Sequence, residues 1–296
     1  MQGRIRRYNV TKWAQDFIDK LFEVKNIQEK RYAKILTLES MQDLIQAFNE
    51  STTQLILLDY DGTLIPFADK PEQAVPDDAL LHLLETLATR ENTTMVIISG
   101  RPRETLESWF GDLSLDLVAE HGAWIRIDGT WNPIEPMINT WKEQIRPIIE
   151  IFVDRTPGSF LEEKDFSLVF HYRKTEPLLA QVRMRELKDA LMDMTSNLNL
   201  SILEGNKVIE IKNSGVGKGR AALRWISQDE KKWDFILATG DDWTDEDLFE
   251  VLPDSAYSIK IGLGHSHARF NLNSVQEMRL LLKELEKSTT EQDTVK

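Results

Sequence analysis

Two uninterrupted runs of large aliphatic residues lie in the first third of the chain, at residues 55–58 and 95–98. Runs of this kind, with no polar interruption, are typical of parallel strands that are covered on both faces. Between the two runs, leucines recur with the spacing of one helix face, at Leu80, Leu83, Leu84 and Leu87. The pattern therefore predicts a strand, a helix and a second strand.

The same alternation continues to residue 119 and resumes after residue 213. A short helix with Leu106, Trp109 and Phe110 leads to a predicted strand at 115–119. After residue 213, the pattern predicts a helix from about Lys218, strands at 235–238 and 256–261, and a last helix that begins after Ser274. Alternating strands and helices predict a parallel sheet with right-handed crossovers.

Residues 137–212 show a different pattern. Helices are predicted at 139–154 and 179–197, and paired strands at 160–164, 167–172, 200–203 and 208–211. Hairpins with helices are typical of a small α+β unit. The predicted fold class is therefore α/β, with a parallel-sheet core at 51–136 and 213–296 and an inserted cap at 137–212. Residues 1–50 are predicted to be helical.

Composition restricts the partners. The chain has 296 residues and a formal charge of −13, which argues against nucleic acid or an anionic membrane as a general partner. It has no cysteine, so disulfides and thiolate chemistry are excluded. No apolar run approaches the roughly 20 residues of a membrane helix, and the start lacks a signal-type apolar region. The expected location is the cytoplasm.

Chemically active side chains follow four of the predicted strands. They are Asp59 and Asp61, Ser99 and Arg101, Glu120 and His121, and Asp241, Asp242 and Asp245. The carboxyl ends of parallel strands share one edge of a sheet, so these groups are expected to meet there, together with Lys218. Carboxylates bind Mg²⁺, basic groups stabilise a transferring phosphoryl group, and a carboxylate can be the nucleophile. The residue types predict phosphoryl transfer.

The ordered motifs resemble those of a known family. Asp59-Tyr60-Asp61-Gly62-Thr63, Ser99-Gly100-Arg101, Lys218 and the segment 240–246 resemble the four motifs of the haloacid-dehalogenase-like (HAD-like) phosphatases. With Glu120-His121-Gly122, they are most similar to the trehalose-6-phosphate phosphatase family. The resemblance covers about residues 50–285 and implies a HAD-like Rossmannoid core with an inserted cap.

The resemblance also implies a role for each core residue. Asp59 would attack phosphorus and become phosphorylated, while Asp61 would protonate the leaving sugar oxygen and then deprotonate the hydrolytic water. Phosphate would be held by Ser99, Gly100, Arg101 and Lys218. The implied cofactor is Mg²⁺, bound by Asp241 with Asp59 and the carbonyl of Asp61, and supported by Asp242 and Asp245.

Within the cap, the resemblance extends to residues that would bind the sugar. These residues are Glu162, Lys164, Arg173 and Glu210. The chain departs from the family where Lys or Arg commonly stands four residues before the cap glutamate, because it has Asn206 there. Either the neighbouring Lys207 takes that role or one sugar contact is weaker.

A second, shorter resemblance lies near the start. Arg6-Arg7-Tyr8-Asn9-Val10 and Trp13-Ala14-Gln15-Asp16-Phe17 resemble the last helix of a trehalose-6-phosphate synthase domain. The resemblance implies a covalently linked synthase upstream. Transferase activity is not predicted for the chain itself, since these few residues cannot form a transferase site.

The implied function is Mg²⁺-dependent hydrolysis of trehalose 6-phosphate to trehalose and phosphate, through an aspartyl-phosphate. Two alternatives stay open. One is another capped phosphatase, acting on sucrose phosphate or a mannosyl phosphate. The other is a non-catalytic module that binds trehalose 6-phosphate and regulates a synthase, although Asp61, Lys218 and Asp241 are all present, which speaks against it.

Three local patterns are interpreted as local structure rather than as nucleotide or metal sites. Residues 215–219 resemble a P-loop but lack its first glycine and the Ser or Thr after the lysine. His121 and His171 have no second histidine at ligand spacing, so packing or hydrogen bonding is expected for both. Thr244 with Asp247 has capping-box spacing and predicts the start of a helix.

Overall fold

The computed structural model describes residues 18, 33–68, 70–134, 139–195, 198, 200–205, 207–227 and 232–293. Four predictions concern residues outside these ranges: the helix before residue 33, the synthase-like motif, the contact of Asn206 and the cap boundary at residues 136–137. No helix among the described residues combines the length and the apolar character needed to cross a membrane.

The strands of the described residues are numbered in chain order. They are β1 (Lys34–Ile35), β2 (Gln54–Asp59), β3 (Thr93–Ile98), β4 (Asp116–Ala119), β5 (Trp124–Ile127), β6 (Thr130–Pro133), β7 (Phe160–Glu163), β8 (Ser167–His171), β9 (Leu200–Gly205), β10 (Val208–Asn213), β11 (Phe235–Gly240), β12 (Tyr257–Ile261) and β13 (Phe270–Leu272).

The α-helices are α1 (Leu38–Glu50), α2 (Asp78–Ala88), α3 (Arg103–Phe110), α4 (Trp141–Asp154), α5 (Pro177–Thr195), α6 (Lys218–Ile226), α7 (Glu246–Glu250) and α8 (Val275–Asp293). Short 3₁₀ turns lie at Pro71–Gln73, Glu120–Gly122 and Trp243–Asp245.

The larger sheet has the strand order β1-β13-β12-β11-β2-β3-β4-β5-β6. Its strands pair in parallel except at one edge, where β5 runs antiparallel to β4 and to β6. The central strand is β2, between β11 and β3. The predicted α/β class and parallel core are confirmed. The strands β1 and β13 at one side of the sheet and β5 and β6 at the other side were not predicted.

The apolar run of β2 is buried on both faces, as its composition predicted. Ile56 and Leu58 pack into the core beneath α1, α2, α3 and α8. Leu55 and Leu57 point to the opposite face and pack with Ala221, Trp225 and Leu248 of α6 and α7. Two helical layers therefore hold the strand in place, and its polar end at Asp59 emerges at the edge between them.

The smaller sheet is antiparallel and has the order β7-β8-β10-β9. One of its faces packs on α4 and α5 through a core that includes Ile145, Leu187, Phe170 and Ile209. The opposite face carries Glu162 and His171, which line a cavity above the larger sheet. The predicted hairpins and helices of this segment are present.

The two sheets meet at the turn between β7 and β8, residues 164–166. Lys164 Nζ donates to the carbonyl of Gly100 at 3.0 Å, and the Phe166 amide donates to Glu120 Oε2 at 3.3 Å. Trp124 Nε1 donates to Asp165 Oδ2 at 3.1 Å. On the other side of the turn, the Lys142 ammonium donates to the carbonyls of Lys164 and Asp165. The turn thus places the smaller sheet over the ends of β3 and β4.

The segment after β4 has a strained backbone that supports this junction. Glu120, His121 and Gly122 have φ values of +49°, +55° and +109°, respectively. A Cβ atom at Gly122 would lie 2.4 Å from the carbonyl oxygen of Gly217, directly before α6. Because positive φ and close approach both favour glycine, Gly122 fixes the distance between this segment and α6.

Replacing Gly122 tests that constraint. We expect Gly122→Ala to lower the free energy of unfolding by about 2–4 kcal/mol, from left-handed strain plus steric overlap. Gly262→Ala is the matched control, because Gly262 has a φ of +92° with nothing within 4 Å of an added Cβ. The control should lose only the strain, about 1–2 kcal/mol. Urea unfolding measures both; equal losses would show that the approach to Gly217 is unimportant.

The carboxyl of Glu120 gives a pH-dependent test of the junction. Burial raises the pKa of Glu120 to about 7. Between pH 4.5, the ordinary pKa of this carboxyl, and pH 7, the folded state keeps a proton on Glu120 that the unfolded state has released. The free energy of unfolding therefore falls as the pH rises through this range, and the loss is complete above pH 7.

We expect Glu120→Gln to remove this loss, since an amide oxygen still accepts from Phe166. The unfolding free energy of the variant minus that of the wild type should rise by roughly 2–3 kcal/mol between pH 4.5 and 7 and stay level above it. Urea titrations at several pH values measure the difference, in which other titrating groups cancel. A difference that does not vary with pH would contradict the assignment.

Candidate active site

The carboxyl ends of β2, β3, β4 and β11 meet at one edge of the larger sheet, as predicted. Above this edge lies a cavity of about 480 Å³, and the face of the smaller sheet forms its opposite wall. From the larger sheet and its loops, the lining includes Asp59, Asp61, Gly100, Arg101, Lys218, Asp241 and Asp242. From the smaller sheet it includes Glu162, Lys164 and Arg173.

Lys218 connects two carboxylates at the floor of this cavity. It is the first residue of α6 and only 3% exposed. Its Nζ donates to Asp59 Oδ1 and to Asp245 Oδ1, each at 2.6 Å. Burial alone would lower the pKa of Lys218, but the charges of Asp245 and Asp59 raise it instead. The side chain therefore remains a cation and orients both carboxylates.

Three carboxylates at this edge lie close enough to share a cation. Asp59, Asp241 and Asp245 each offer an oxygen within 4.8 Å of the others. Burial raises the pKa of Asp59 and of Asp241, and for Asp241 the charge of Asp59 adds to the effect. Within the described part of the chain, the buried Asp59 Oδ2 has no hydrogen-bond partner. A carboxylate cluster with an unpartnered buried oxygen fits a hard divalent cation.

The hydrogen bonds of Asp245 distinguish it from the other two. Oδ1 accepts from Lys218, and Oδ2 accepts from the backbone amides of Asp241 and Asp242 at 3.0 and 2.9 Å. Both of its oxygens are therefore used within the protein. Asp245 orients Lys218 and the loop after β11, and the oxygens left for a cation are those of Asp59 and Asp241.

Asp242 shares in this loop geometry. Its carboxylate accepts from the Trp243 amide at 2.6 Å and forms a capping box with Asp245 over the turn Trp243–Asp245. The prediction that Thr244 and Asp247 form the capping box is wrong. Both pairs have the same spacing, but the 3₁₀ turn begins at Trp243. The free backbone amides of its first residues therefore lie next to Asp242 rather than Thr244.

Gly62 brings the loop after β2 against Asp241. Its φ is +80°, and an added Cβ would lie 2.1 Å from Asp241 Oδ2. The carboxylate of Asp241 thus packs on the backbone directly after Asp61. This contact places the backbone of Asp61 beside Asp59 and Asp241.

Asp61 is held by Arg101. Arg101 Nε donates to Asp61 Oδ2 at 2.8 Å, and Nη2 donates to Oδ1 at 2.5 Å. The third nitrogen, Nη1, donates to the carbonyl of Pro71 at 2.5 Å, and the guanidinium lies over the ring of Trp109. Arg101 is predicted to bind phosphate, whereas in the structure its side-chain nitrogens donate to Asp61 and to the loop 66–76.

Ser99 lies beneath the cavity, next to this pair. It is buried, and its Oγ accepts from the Arg101 amide at 3.2 Å. Gly100 follows it and lines the cavity, with its carbonyl bound to Lys164. The Ser99-Gly100-Arg101 segment therefore connects the floor of the cavity to the smaller sheet.

The predicted sugar-binding residues separate into two groups. Glu162, Lys164 and Arg173 line the cavity. Glu210 is buried beneath it, with Oε1 3.9 Å from Lys164 Nζ and Oε2 3.6 Å from His121 Nε2. Burial alone would raise the pKa of Glu210, but the charge of Lys164 lowers it to about 2.

Lys207 belongs to neither group. Its ammonium lies 6.0 Å from the ring centre of Tyr172, and it is not among the described residues that line the cavity. Lys207, which was predicted as a possible replacement for the basic sugar-binding residue, thus does not line the cavity.

The two histidines differ: His171 has hydrogen-bonding and packing partners, whereas the ring of His121 packs against Gly100 and, among the described residues, its Nδ1 has no hydrogen-bond partner. His171 Nε2 lies 2.7 Å from Glu162 Oε2, and its ring stacks on Phe160. Burial lowers the pKa of His121. Neither residue belongs to the group of possible metal ligands that the described residues form.

Two aromatic residues that line the cavity, Phe67 and Phe160, were not predicted to belong to the site. Both rings are largely exposed, although they line the cavity. For Phe160 a signal was available, because it stands two residues before Glu162 on a predicted strand and therefore shares its face.

Comparisons with known proteins agree with this geometry. The model of the family described as trehalose-phosphatase matches residues 57–276. A bifunctional trehalose-6-phosphate synthase/phosphatase of Thermoproteus tenax is 38% identical over 96% of this chain, and a trehalose-phosphatase of Saccharomyces cerevisiae is 32% identical over 81%. The chain spans only 39% and 29% of the lengths of these two relatives.

A solved structure gives the same result. The C-terminal domain of trehalose-6-phosphate phosphatase from C. albicans superposes with a TM-score of 0.80 and 28% identity, covering 86% of this chain and 99% of that domain. Since the family model matches well over half of the residues, the chain belongs to the trehalose-phosphatase family.

Proposed function

We propose that this chain is a Mg²⁺-dependent phosphatase that hydrolyses trehalose 6-phosphate to trehalose and phosphate. The observation that carries the proposal is the cluster of Asp59, Lys218 and Asp241 at the floor of a cavity whose opposite wall bears charged groups of the smaller sheet. Membership of the trehalose-phosphatase family supports the choice of sugar.

Asp59 is the proposed nucleophile. Lys218 holds its Oδ1, and Oδ2 has no hydrogen-bond partner among the residues that the structure describes. In the first step, one carboxylate oxygen of Asp59 bonds to phosphorus, and the bond between phosphorus and the sugar oxygen breaks. The product is a phosphoryl ester of Asp59, which water then hydrolyses to restore the carboxylate.

Asp61 is the proposed proton carrier. In the first step it gives a proton to the departing sugar oxygen, and in the second it takes one from the attacking water. The two hydrogen bonds from Arg101 fix the orientation of its carboxylate. Arg101 is therefore proposed as a positioning residue for Asp61 rather than as a phosphate ligand.

The remaining core residues bind phosphate and the cation. Lys218, Ser99 and Gly100 are proposed to hold the phosphoryl group, with Lys218 as the charged donor. Asp59, Asp241 and the carbonyl of Asp61 would hold Mg²⁺, whereas Asp245 and Asp242 orient the loop that carries Asp241. When bound, the cation neutralises negative charge on the phosphoryl oxygens.

Sugar recognition is assigned to the cap, residues 137–212. Glu162, Lys164 and Arg173 are placed to bind hydroxyl groups inside the cavity, and the buried Glu210 keeps Lys164 in position through its charge. Charged groups form strong, directional hydrogen bonds to such hydroxyls. The lengths of the relatives support a linked synthase domain, as the second resemblance implied.

The alternative of a non-catalytic regulatory module is less well supported. Such a module has no need for a nucleophile with a free buried oxygen or for a carboxylate fixed beside it by an arginine. Both features are present at Asp59 and Asp61. Another sugar phosphate as substrate is an outcome of the first test.

Phosphate release from a panel of sugar phosphates tests the substrate. We expect trehalose 6-phosphate to be hydrolysed with a kcat/KM at least a hundredfold above those of sucrose 6-phosphate and a mannosyl phosphate, and we expect chelation of Mg²⁺ to abolish turnover. Faster turnover of another sugar phosphate would refute the substrate, and no turnover of any would favour the regulatory module.

An Asp61→Asn variant tests the division of roles. The variant lacks both the acid of the first step and the base of the second, so the substrate for this test is p-nitrophenyl phosphate, whose leaving group departs without a proton. The phosphoryl ester should then form and persist on Asp59, and mass spectrometry of peptides should find phosphate at residue 59. The control is Asp59→Asn, which should carry no phosphate. Phosphate at a different residue would contradict the mechanism.

A further inference from the structure

A row of three side chains crosses the face of the smaller sheet that borders the cavity. Phe160 on β7 stands opposite His171 on β8, and His171 stands opposite Val208 on β10. All three line the cavity. Since neighbouring strands lie about 4.8 Å apart, the row is about 10 Å long. It forms a continuous surface of rings and methyl groups.

The aromatic end of the row is rigid. The rings of Phe160 and His171 are stacked, with centres 4.4 Å apart and an angle of 6° between their planes. His171 Nε2 is fixed by Glu162 at 2.7 Å. One face of the Phe160 ring is thus covered by His171, yet the residue is 53% exposed. Its other face is open for contact.

The position of the row relative to the phosphate site defines what it can bind. Lys164 contacts the larger sheet at Gly100, near the proposed phosphate-binding residues. Phe160 precedes Lys164 by four residues on an extended strand, so the two lie about 13 Å apart. A ligand that spans from Lys164 to Phe160 must be longer than one hexose ring, and a disaccharide phosphate has that length.

From this placement, we propose that the open face of Phe160, which His171 supports from behind, is a platform for the sugar ring that does not carry the phosphate. Aromatic rings bind apolar surface with a defined geometry, and the C–H groups of a hexopyranose form such a surface. Glu162 and Arg173, beside the row, then bind the hydroxyl groups at the edge of the ring. This inference rests on the proposed function and adds the basis for selecting a disaccharide.

The platform would act on specificity rather than on the chemical step. Contacts to a remote part of a substrate hold it in place and contribute to KM when they are equal in the ground state and the transition state. Phe160 lies on the wall of the cavity opposite Asp59, so its loss should affect a disaccharide phosphate much more than a phosphate ester without sugar.

The test compares two substrates, trehalose 6-phosphate and p-nitrophenyl phosphate, with saturating Mg²⁺. For Phe160→Ala, we expect the ratio of kcat/KM for trehalose 6-phosphate to kcat/KM for p-nitrophenyl phosphate to fall about tenfold, mainly through a higher KM for the sugar substrate. Phe160→Trp, which keeps an aromatic face, should restore the ratio to within threefold of the wild type.

The control is Leu178→Ala. Leu178 is an exposed apolar residue on α5 of the same segment and is not among the described residues that line the cavity, so the ratio should be unchanged. An equal loss for both substrates in Phe160→Ala would reduce Phe160 to a structural role, and an unchanged ratio would overturn the platform.

The activity of the wild type tests the proposed substrate independently of the platform. If it hydrolyses p-nitrophenyl phosphate and another disaccharide phosphate but not trehalose 6-phosphate, the proposed substrate is wrong, and the same variants on that other sugar still decide the platform. If only the Phe160→Ala ratio fails to fall, the proposed function stands and the platform is rejected.

Discussion

The interaction on which the site depends is the double ion pair of Lys218 with Asp59 and Asp245. All three side chains are buried, and a buried charge is costly unless it is paired and hydrogen-bonded. Removing the ammonium would leave two buried carboxylates close to Asp241 without the cation that pairs with both of them. Because the second oxygen of Asp245 binds two amides of the loop after β11, the same cation fixes the positions of Asp59 and Asp241 at once.

The rest of the fold serves to bring this lysine and these carboxylates together. Asp59 ends the central strand, which two helical layers cover, and Asp241 follows the neighbouring strand in the sheet. Lys218 enters from the start of α6, whose distance from the β4 end is set by Gly122 against Gly217. The smaller sheet borders the cavity and contacts the larger sheet through the turn at 164–166, so the residues proposed to select the sugar are anchored to the same strand ends as those proposed for the chemistry.

Sequence alone predicted the parts whose signal is local and strong. The aliphatic runs of β2 and β3 predicted buried parallel strands, and the carboxylates after β2 with the serine and arginine after β3 predicted the catalytic edge. The strands β1 and β13 are two and three residues long, with no extended apolar run, and they form because a longer neighbour is available to pair with. The role of Arg101 and the place of Lys207 depend on where side chains turn after the backbone is set, which spacing does not determine. The row through Phe160 requires a strand register that only the folded sheet provides.

The central position of β2 also has a consequence for how the protein is made. Its two neighbours are β3, which follows shortly after it, and β11, which the ribosome completes only after residue 235. The insert between them forms its own sheet, so it does not supply a substitute partner. Throughout that interval, β2 is an edge strand of four consecutive aliphatic residues, the kind of edge that pairs with other chains. The strand that carries the proposed nucleophile therefore keeps one edge unpaired until β11 is made, and the native state removes the hazard by pairing it on both sides.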